Sequence, residues 1–161
     1  MAKHLSIEFD SRQFKQALLE TIDDVGNAVR DGLHDVLDEW QRESVDLAPL
    51  YKRKGPKDKR PAGALRSSIH TDINGEGIDL EGEIKAAAVE IAKSGKQAGE
   101  RFDYAYYLHE VYPEKHGKSF KNPSTAGTIP QFLEDPLERN KQKWVRHIEE
   151  SIESELKRKG W

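Results

Sequence analysis

A stripe of apolar residues near the start of the chain constrains the fold more than any other feature. The stripe advances by three or four residues at each step, through Phe14, Leu18, Ile22, Val25, Val29, Leu33, Val36 and Trp40. This spacing places the side chains on one face of an α-helix, with aspartates on the opposite face. It predicts one helix from Ser11 to about Asp46, roughly 50 Å long at about 1.5 Å per residue. Gly26 and Gly32 lie inside it and favour a bend there.

The residues before this helix predict a short strand and a defined helix start. Leu5, Ile7 and Phe9 alternate with polar residues, which is typical of a half-buried strand. Asp10 stands three residues before Gln13, which is the spacing of a capping box. A strand followed directly by the long helix is therefore expected.

The middle of the chain predicts a β-hairpin. Two alternating runs flank the sequence NGEG, residues 74–77, which we interpret as the turn. The alternating positions are Ile69, Thr71, Ile73, Ile78, Leu80 and Ile84. Residues 86–92 are expected to continue the second strand, with the start of a short helix as the alternative.

A second helix is predicted near the end of the chain. Asp135 is expected as its N-cap, with Pro136 at the first helical position and Gly160 at its end. Its apolar face comprises Leu137, Trp144, Ile148, Ile152 and Leu156. The whole pattern predicts an α+β fold, in which a small antiparallel sheet is flanked by a long N-terminal helix and a C-terminal helix. Residues 1–161 are expected to form a single domain, with surface loops at residues 50–63 and 111–128.

Composition limits the possible function classes. The chain has 161 residues, is 35% hydrophobic and contains no cysteine, which excludes disulfides, thiolate nucleophiles and cysteine-based zinc sites. No apolar run approaches the roughly 20 residues needed to cross a bilayer, so we expect no membrane partner. The first residues lack the apolar stretch of a signal peptide, which predicts a protein that is not secreted by that route.

Charge is strongly segregated along the chain. Residues 1–50 carry 5 Lys and Arg against 11 Asp and Glu, whereas residues 51–70 carry 7 against 1. Such polarity favours head-to-tail contacts between copies, in which acidic and basic patches meet. The basic loop consists of Lys52, Arg53, Lys54, Lys57, Lys59 and Arg60. It is interpreted as a solvated loop or as a loop ordered by a partner, and a nonspecific nucleic-acid-binding module is the alternative.

Signals for catalysis or metal binding are weak. Gly-Lys-Ser at residues 117–119 ends a phosphate-binding loop in other proteins, but Tyr112 stands where such a loop needs its first glycine. His109 and His116 are seven residues apart across Pro113, which does not match a helical zinc motif, and neither Glu110 nor His147 completes one. We therefore expect no metal, no cofactor and no enzymatic activity. An enzyme with a dispersed pair of carboxylates remains a competing class.

The segment YAYYLHE, residues 104–110, concentrates aromatic residues in a chain that has few. If it is extended, Tyr104, Tyr106 and Leu108 face one way, and Ala105, Tyr107 and His109 face the other. If it is a short helix, the division changes but the packing role does not. We interpret the three tyrosines as core or interface residues, with a DNA stacking platform as the alternative.

The order of short motifs resembles the phage head-to-tail joining family, which includes tail-completion and tail-terminator proteins of long-tailed phages. The matching residues are Ala48 and Pro49; Gly63, Leu65, Arg66, Ser68 and Ile69; Tyr104, Ala105 and Glu110; and Pro130, Phe132, Leu133 and Pro136. The basic loop and residues 111–126 are insertions relative to the family pattern. Because loops carry specificity, these insertions are expected to contact this protein's own partners.

The resemblance implies a structural virion protein at the head-tail junction, made in the host cytoplasm. It implies a homo-oligomeric ring, commonly a hexamer, that caps or completes the tail tube and joins it to neck or connector proteins. Genomic DNA would pass through the lumen without specific binding. On this interpretation the interface residues are those of the basic loop together with Tyr104, Tyr106 and Tyr107.

Overall fold

The computed structural model describes residues 12–50, 55–56, 62–91 and 99–161. It is an α+β fold with a long N-terminal helix, a C-terminal helix and small antiparallel sheets, which confirms the predicted class. The elements, in order, are α1 (Arg12–Leu47), α2 (Ala64–Ser67), β1 (His70–Glu76), β2 (Asp79–Lys85), β3 (Val89–Ile91), β4 (Arg101–Asp103), α3 (Tyr104–Tyr106), a π-helical turn (Tyr107–Val111), α4 (Tyr112–His116) and α5 (Glu134–Arg158). The predicted strand at residues 5–9 and the capping residue Asp10 lie outside the described residues.

Helix α1 is continuous through both of its internal glycines. It ends before Pro49, where a distant arginine replaces the lost intrahelical bonds. Arg66 donates from Nε to the carbonyl of Ala48 at 2.8 Å and from Nη2 to that of Asp46 at 3.2 Å. A helix leaves its last carbonyls without intrahelical partners, so this guanidinium stabilises the C-terminal end of α1.

Strands β1 and β2 form the predicted hairpin, but its turn lies further along the chain than NGEG. Glu76 pairs with Asp79, so Gly77 and Ile78 are the two turn residues. Gly77 has φ of 59°, which is the left-handed conformation that two-residue hairpin turns require. Asn74 and Gly75 instead pair with Glu81 and Leu80 inside the ladder.

The hairpin packs against one side of α1, and glycines allow the two backbones to approach. A Cβ atom on Gly26 would lie 2.8 Å from the carbonyl oxygen of Gly77 at the hairpin tip. Further along, a Cβ atom on Gly82 would meet the side chain of Leu37 at 3.2 Å. Gly26 therefore serves close packing of a helix on a turn.

Helix α5 runs antiparallel to α1 and packs along it. Trp144 is buried at the contact, and Trp40 packs on it with ring centroids 5.9 Å apart. The predicted N-cap at Asp135 is wrong, because α5 begins at Glu134 and Leu133 occupies the cap without a side-chain hydrogen bond. Trp40 instead donates to the carbonyl oxygen of Leu133 at 2.7 Å, which ties this end of α5 to α1.

The predicted continuation of the second strand through residues 86–92 is only partly observed. Residues 86–88 have no regular structure, and β3 then pairs with β4, a strand that the sequence patterns did not predict. Among the described residues, the strands therefore form two separate two-stranded antiparallel sheets.

The buried core lies at the C-terminal end of α1. It brings together Ala48, Leu65, Ile69, Ala105, Leu108 and Phe132. Pro49, Pro130 and Pro136 are also buried, Leu133 packs against the core, and Gly63 takes a positive φ of 77° before α2. The core thus contains Leu65, Ile69 and Phe132 and contacts Leu133, four of the residues predicted to define the fold. No described helix combines the length and the apolar character needed to cross a membrane.

Candidate assembly surface

The segment YAYYLHE is helical, so the extended interpretation is wrong. It forms α3 and the π-helical turn, which continue directly into α4. The widened turn comes just before Pro113, which has no backbone N–H and whose ring clashes with the carbonyl four residues earlier in an α-helix. The π-helical turn offers a physical solution, because Tyr112 donates its N–H to the carbonyl of Tyr107, five residues back.

This helical stretch also shortens the predicted surface loop at residues 111–128. Val111 ends the π-helical turn and Tyr112–His116 form α4, so only the residues after His116 lack regular structure before α5. Apolar packing explains the difference. The ring of Tyr112 contacts the rings of Tyr107 and Phe120, with centroids 6.4 and 5.0 Å apart.

Asp103 fixes the start of this segment and joins it to the neighbouring sheet. Its Oδ1 accepts from the backbone N–H groups of Ala105 at 3.0 Å and Tyr106 at 3.3 Å, as an N-cap does. The same oxygen accepts from the N–H of Ala88 at 3.2 Å, and the N–H of Tyr104 donates to the carbonyl of Ala88 at 2.9 Å. The orientation of the aromatic side chains is thus set by backbone contacts on both sides.

The helical geometry divides the segment into a buried and an exposed face. Ala105 and Leu108 are buried in the core, and Tyr104 and Tyr107 are half-buried against it. Tyr106 projects outward and is 62% exposed. Among the three predicted interface tyrosines, Tyr106 is therefore free for contact with another molecule, whereas Tyr104 and Tyr107 chiefly support it.

One further residue extends the exposed face into the sheet. Phe102 of β4 is 48% exposed and packs on Tyr107 with ring centroids 5.5 Å apart. Val89 of β3 is 44% exposed, but it pairs with Asp103, and successive residues of a strand point to opposite faces, so Val89 and Phe102 lie on different faces of this sheet. We refer to Phe102, Tyr106 and Tyr107 as the aromatic surface. Phe102 was not predicted as part of this surface, because a strand of three residues is too short to show a period.

The remaining predicted interface residues, those of the basic loop from Lys52 to Arg60, lie outside the described residues. The residues that follow the loop are held to the core. Ile69 is buried there, and its carbonyl accepts from Nε2 of Gln41 at 2.8 Å. The described residues on either side of the loop lie close together, since a Cβ atom on Gly63 would be 3.4 Å from the side chain of Leu50.

The candidate metal-binding residues do not converge. His109 contacts Glu110 from Nδ1 at 2.9 Å and meets Phe132 edge-on, His116 packs on Tyr112, and His147 contacts Asp35 of α1. Within the described ranges, no three His, Asp or Glu residues are grouped as metal ligands. Gly117, Lys118 and Ser119 are exposed and follow α4, whereas a phosphate-binding loop follows a strand.

A ladder of polar contacts holds α5 along α1. Acidic residues of α1 contact basic or amide residues of α5 or of the residue that follows it. The pairs run in opposite directions along the two helices, because the helices are antiparallel. The pairs are Asp24 with Lys159, Asp35 with His147, Glu39 with Lys143, and Glu43 with Asn140. We call this set of contacts the seam. It holds α1 and α5 together as one rigid support for the rest of the molecule.

Glu39 is the most tightly held acid in the seam. Its Oε1 contacts Nζ of Lys143 at 2.5 Å, and its Oε2 accepts from the indole N–H of the buried Trp144 at 3.0 Å. These hydrogen bonds, that of Lys143 first, hold the pKa of the Glu39 carboxyl below its ordinary value of 4.5. Glu39 therefore satisfies the only polar atom of a buried tryptophan side chain while remaining charged.

Comparison with known proteins identified no relative of this chain. No protein-family model, no curated protein and no solved structure matches this chain.

Proposed function

We propose that the protein is a structural subunit of the head-tail junction of a long-tailed phage. Copies of it form a ring that caps or completes the tail tube and joins it to the neck. The order of motifs that resembles the head-to-tail joining family supports this function. The observation that carries it is the aromatic surface, an exposed cluster on a rigid, buried base.

The chemistry of the aromatic surface suits a subunit interface. Tyrosine and phenylalanine are enriched at interface cores because they bring a large contact area with few rotatable bonds. Tyr106 and Phe102 stand on backbone fixed by Asp103, so their ordering on assembly costs little conformational entropy. A ring needs such complementary surfaces and no covalent chemistry.

Charge suggests how neighbouring subunits are oriented. Asp31, Asp35 and Asp38 of α1 are exposed and present an acidic face, on which Asp35 also contacts His147 of α5. The basic loop of an adjacent copy is the natural counterpart of this face, and an acidic surface of the tail or neck would suit the same basic loop. We therefore assign the Lys52 to Arg60 loop to protein contacts and not to the DNA that passes through the lumen.

The first test concerns assembly of the purified chain. We expect Tyr106→Ser to convert rings to smaller species in light scattering and electron microscopy, because it removes the most exposed aromatic of the surface. Val145→Ser is the matched control, since Val145 is a comparably exposed apolar residue on α5, away from this surface. Rings that form equally well with both variants would remove the aromatic surface from the interface.

A second test separates the structural role from nucleic-acid binding. Phage particles made without this chain should show filled heads beside unattached or abnormally long tails. Neutralising the six basic residues of the loop should impair assembly and leave duplex DNA binding unchanged. Normal infectious particles without the chain, or a loss confined to salt-dependent DNA affinity, would favour the nucleic-acid-binding alternative.

A further inference from the structure

The N-terminal part of α1 extends beyond the end of α5. The last contacts of the seam join Asp24 to Lys159 and Thr21 to Trp161, whose indole N–H donates to the Thr21 hydroxyl at 3.2 Å. Helix α5 ends at Arg158, and the contact of Lys159 with Asp24 lies just beyond that end. Within the described part of the chain, residues 12–20 continue α1 without helix α5 beside them, and the ring of Trp161 lies near that of Phe14.

This projecting part is apolar on its surface. We call Phe14, Leu18, Leu19, Ile22 and Trp161 the overhang surface. The five side chains are between 40% and 57% exposed, and the rings of Phe14 and Trp161 lie 6.5 Å apart. Neighbouring positions three or four apart share one side of a helix, so Phe14, Leu18 and Ile22 form a continuous strip.

The area of the overhang surface matches that of a specific protein interface. Five half-exposed large side chains present on the order of 500 Å² of apolar surface, at about 200 Å² each when fully exposed. A standard interface buries about 800 Å² on each partner and is about 57% apolar, or about 450 Å². This size matches the largest apolar patch on a typical monomer, about 300–600 Å², and such patches often serve a contact.

The overhang surface and the aromatic surface lie at opposite ends of the molecule. Ile22 and Leu47 are separated by about 37 Å along α1 at about 1.5 Å per residue. The aromatic surface stands beside the core at the Leu47 end, where Tyr107 packs against the cluster that contains Ala48. Two unlike apolar surfaces at opposite ends are what a head-to-tail contact between identical subunits requires.

We propose that the overhang surface of one copy docks on the aromatic surface of the next copy. This inference rests on the proposed ring, and it names the two faces that meet. A two-fold pairing of overhang with overhang would leave every aromatic surface uncovered. Head-to-tail docking covers both surfaces in each subunit, which favours it.

Engineered cysteines can test the contact, because the natural chain has none. One chain carries Leu19→Cys and a second carries Tyr106→Cys, and the two are mixed under mild oxidation. Both positions are exposed, so neither substitution disturbs the core. Val145→Cys, mixed with either partner, is the matched control.

We expect a disulfide between the Leu19→Cys and Tyr106→Cys chains and none above background with Val145→Cys. A product that joins two Leu19→Cys chains in place of this one indicates a two-fold contact and overturns the proposal. So does protection of the Leu19→Cys thiol from alkylation in dilute monomer, which would mean that another part of the same chain covers the overhang.

A final variant separates this inference from the proposed function. Leu18→Ser combined with Leu19→Ser should abolish rings while the isolated subunit keeps its circular dichroism and its unfolding transition. If rings persist with this variant but disappear with Tyr106→Ser, the overhang assignment fails and the ring function stands. If the natural chain forms no ring at any concentration and phage assemble without it, the proposed function itself fails.

Discussion

The two parts of α1 follow one periodic pattern but have different surroundings. From Asp24 onward the helix is covered by α5 through the seam and by the hairpin, which touches Gly26. Before that point Phe14, Leu18 and Ile22 continue the stripe with much of their surface exposed. The periodicity of a sequence thus shows which face of a helix is apolar, but it does not show whether the partner of that face is the same chain.

The difference also lies in polar chemistry. In the seam, each acidic residue of α1 that meets α5 has a hydrogen-bonding partner of fixed position. Where the seam gives way to the overhang, the indole N–H of Trp161 donates to the hydroxyl of Thr21. The indole N–H of the buried Trp144 depends on Glu39 for its hydrogen bond, and a buried group left unpaired is costly. The seam is therefore a permanent contact, whereas the overhang surface suits a partner that arrives later.

The largest expected effect comes from a pair of tryptophan substitutions. Trp144 is 3% exposed and fills the seam, so Trp144→Ala should lower the free energy of unfolding by about 3 to 5 kcal/mol. Trp161→Ala removes the same side chain from the overhang, where it is 56% exposed, and should cost less than about 1 kcal/mol in the monomer. Urea denaturation of both variants checks this. Equal losses would mean that the overhang is as integral to the monomer as the seam.

A smaller effect is expected where the covered part of α1 begins. Gly26→Ala places a methyl group 2.8 Å from the Gly77 carbonyl oxygen, a backbone atom that cannot turn aside. Overpacking should lower the free energy of unfolding by about 1 to 3 kcal/mol, whereas the better helix propensity of alanine should raise it by about 1 kcal/mol. We expect a net loss of stability of about 1 kcal/mol. At Gly32, the nearest atom is the Ser151 hydroxyl at 3.3 Å, and the side chain can rotate away. Thermal unfolding should therefore show Gly32→Ala to be stabilised by up to about 1 kcal/mol, from helix propensity alone. A stabilised Gly26→Ala would contradict the close approach.

Much of the scaffold could be predicted from the sequence, because long elements repeat their signals. The end of α1 near Asp46, the hairpin between residues 69 and 85, and α5 with its buried Trp144 follow from periodicity and from Pro49, although the hairpin turn and the N-cap of α5 were misplaced. Short elements contain too few residues to show a periodic pattern. The strands β3 and β4 have three residues each, and their pairing depends on Asp103 contacting Ala88, a contact between residues that are distant in sequence.

The candidate site was predicted only in part for the same reason. Tyr106 was identified by composition, but its exposure depends on the helical conformation of α3, which Asp103 caps, and the extended interpretation assigned the faces incorrectly. Phe102 gave no signal beyond its apolar character. The overhang was included in the predicted helix, and its exposure follows from where α5 ends, a tertiary property that the pattern of α1 does not contain.

The smallest effect concerns the charge of Glu39 within the seam. Glu39→Gln keeps a hydrogen-bond acceptor for the Trp144 indole but loses the ion pair with Lys143, whose side chain is 64% exposed. For an exposed partner such a pair contributes about 1 kcal/mol or less, so a small loss is expected at neutral pH. Lys143→Met, which removes the same pair from the other side, should give a similar loss.

The pH dependence of this loss identifies its origin. The folded protein holds the pKa of Glu39 below 4.5, so the stability contributed by the charged carboxylate is fully present above pH 4.5 and is lost as pH falls through the lowered value. The difference in free energy of unfolding between the natural chain and Glu39→Gln should therefore be constant near neutrality and shrink on acidification. Urea denaturation across this range measures it. A difference that persists unchanged in acid would assign the loss to packing around Trp144 and not to the charge that joins the two helices.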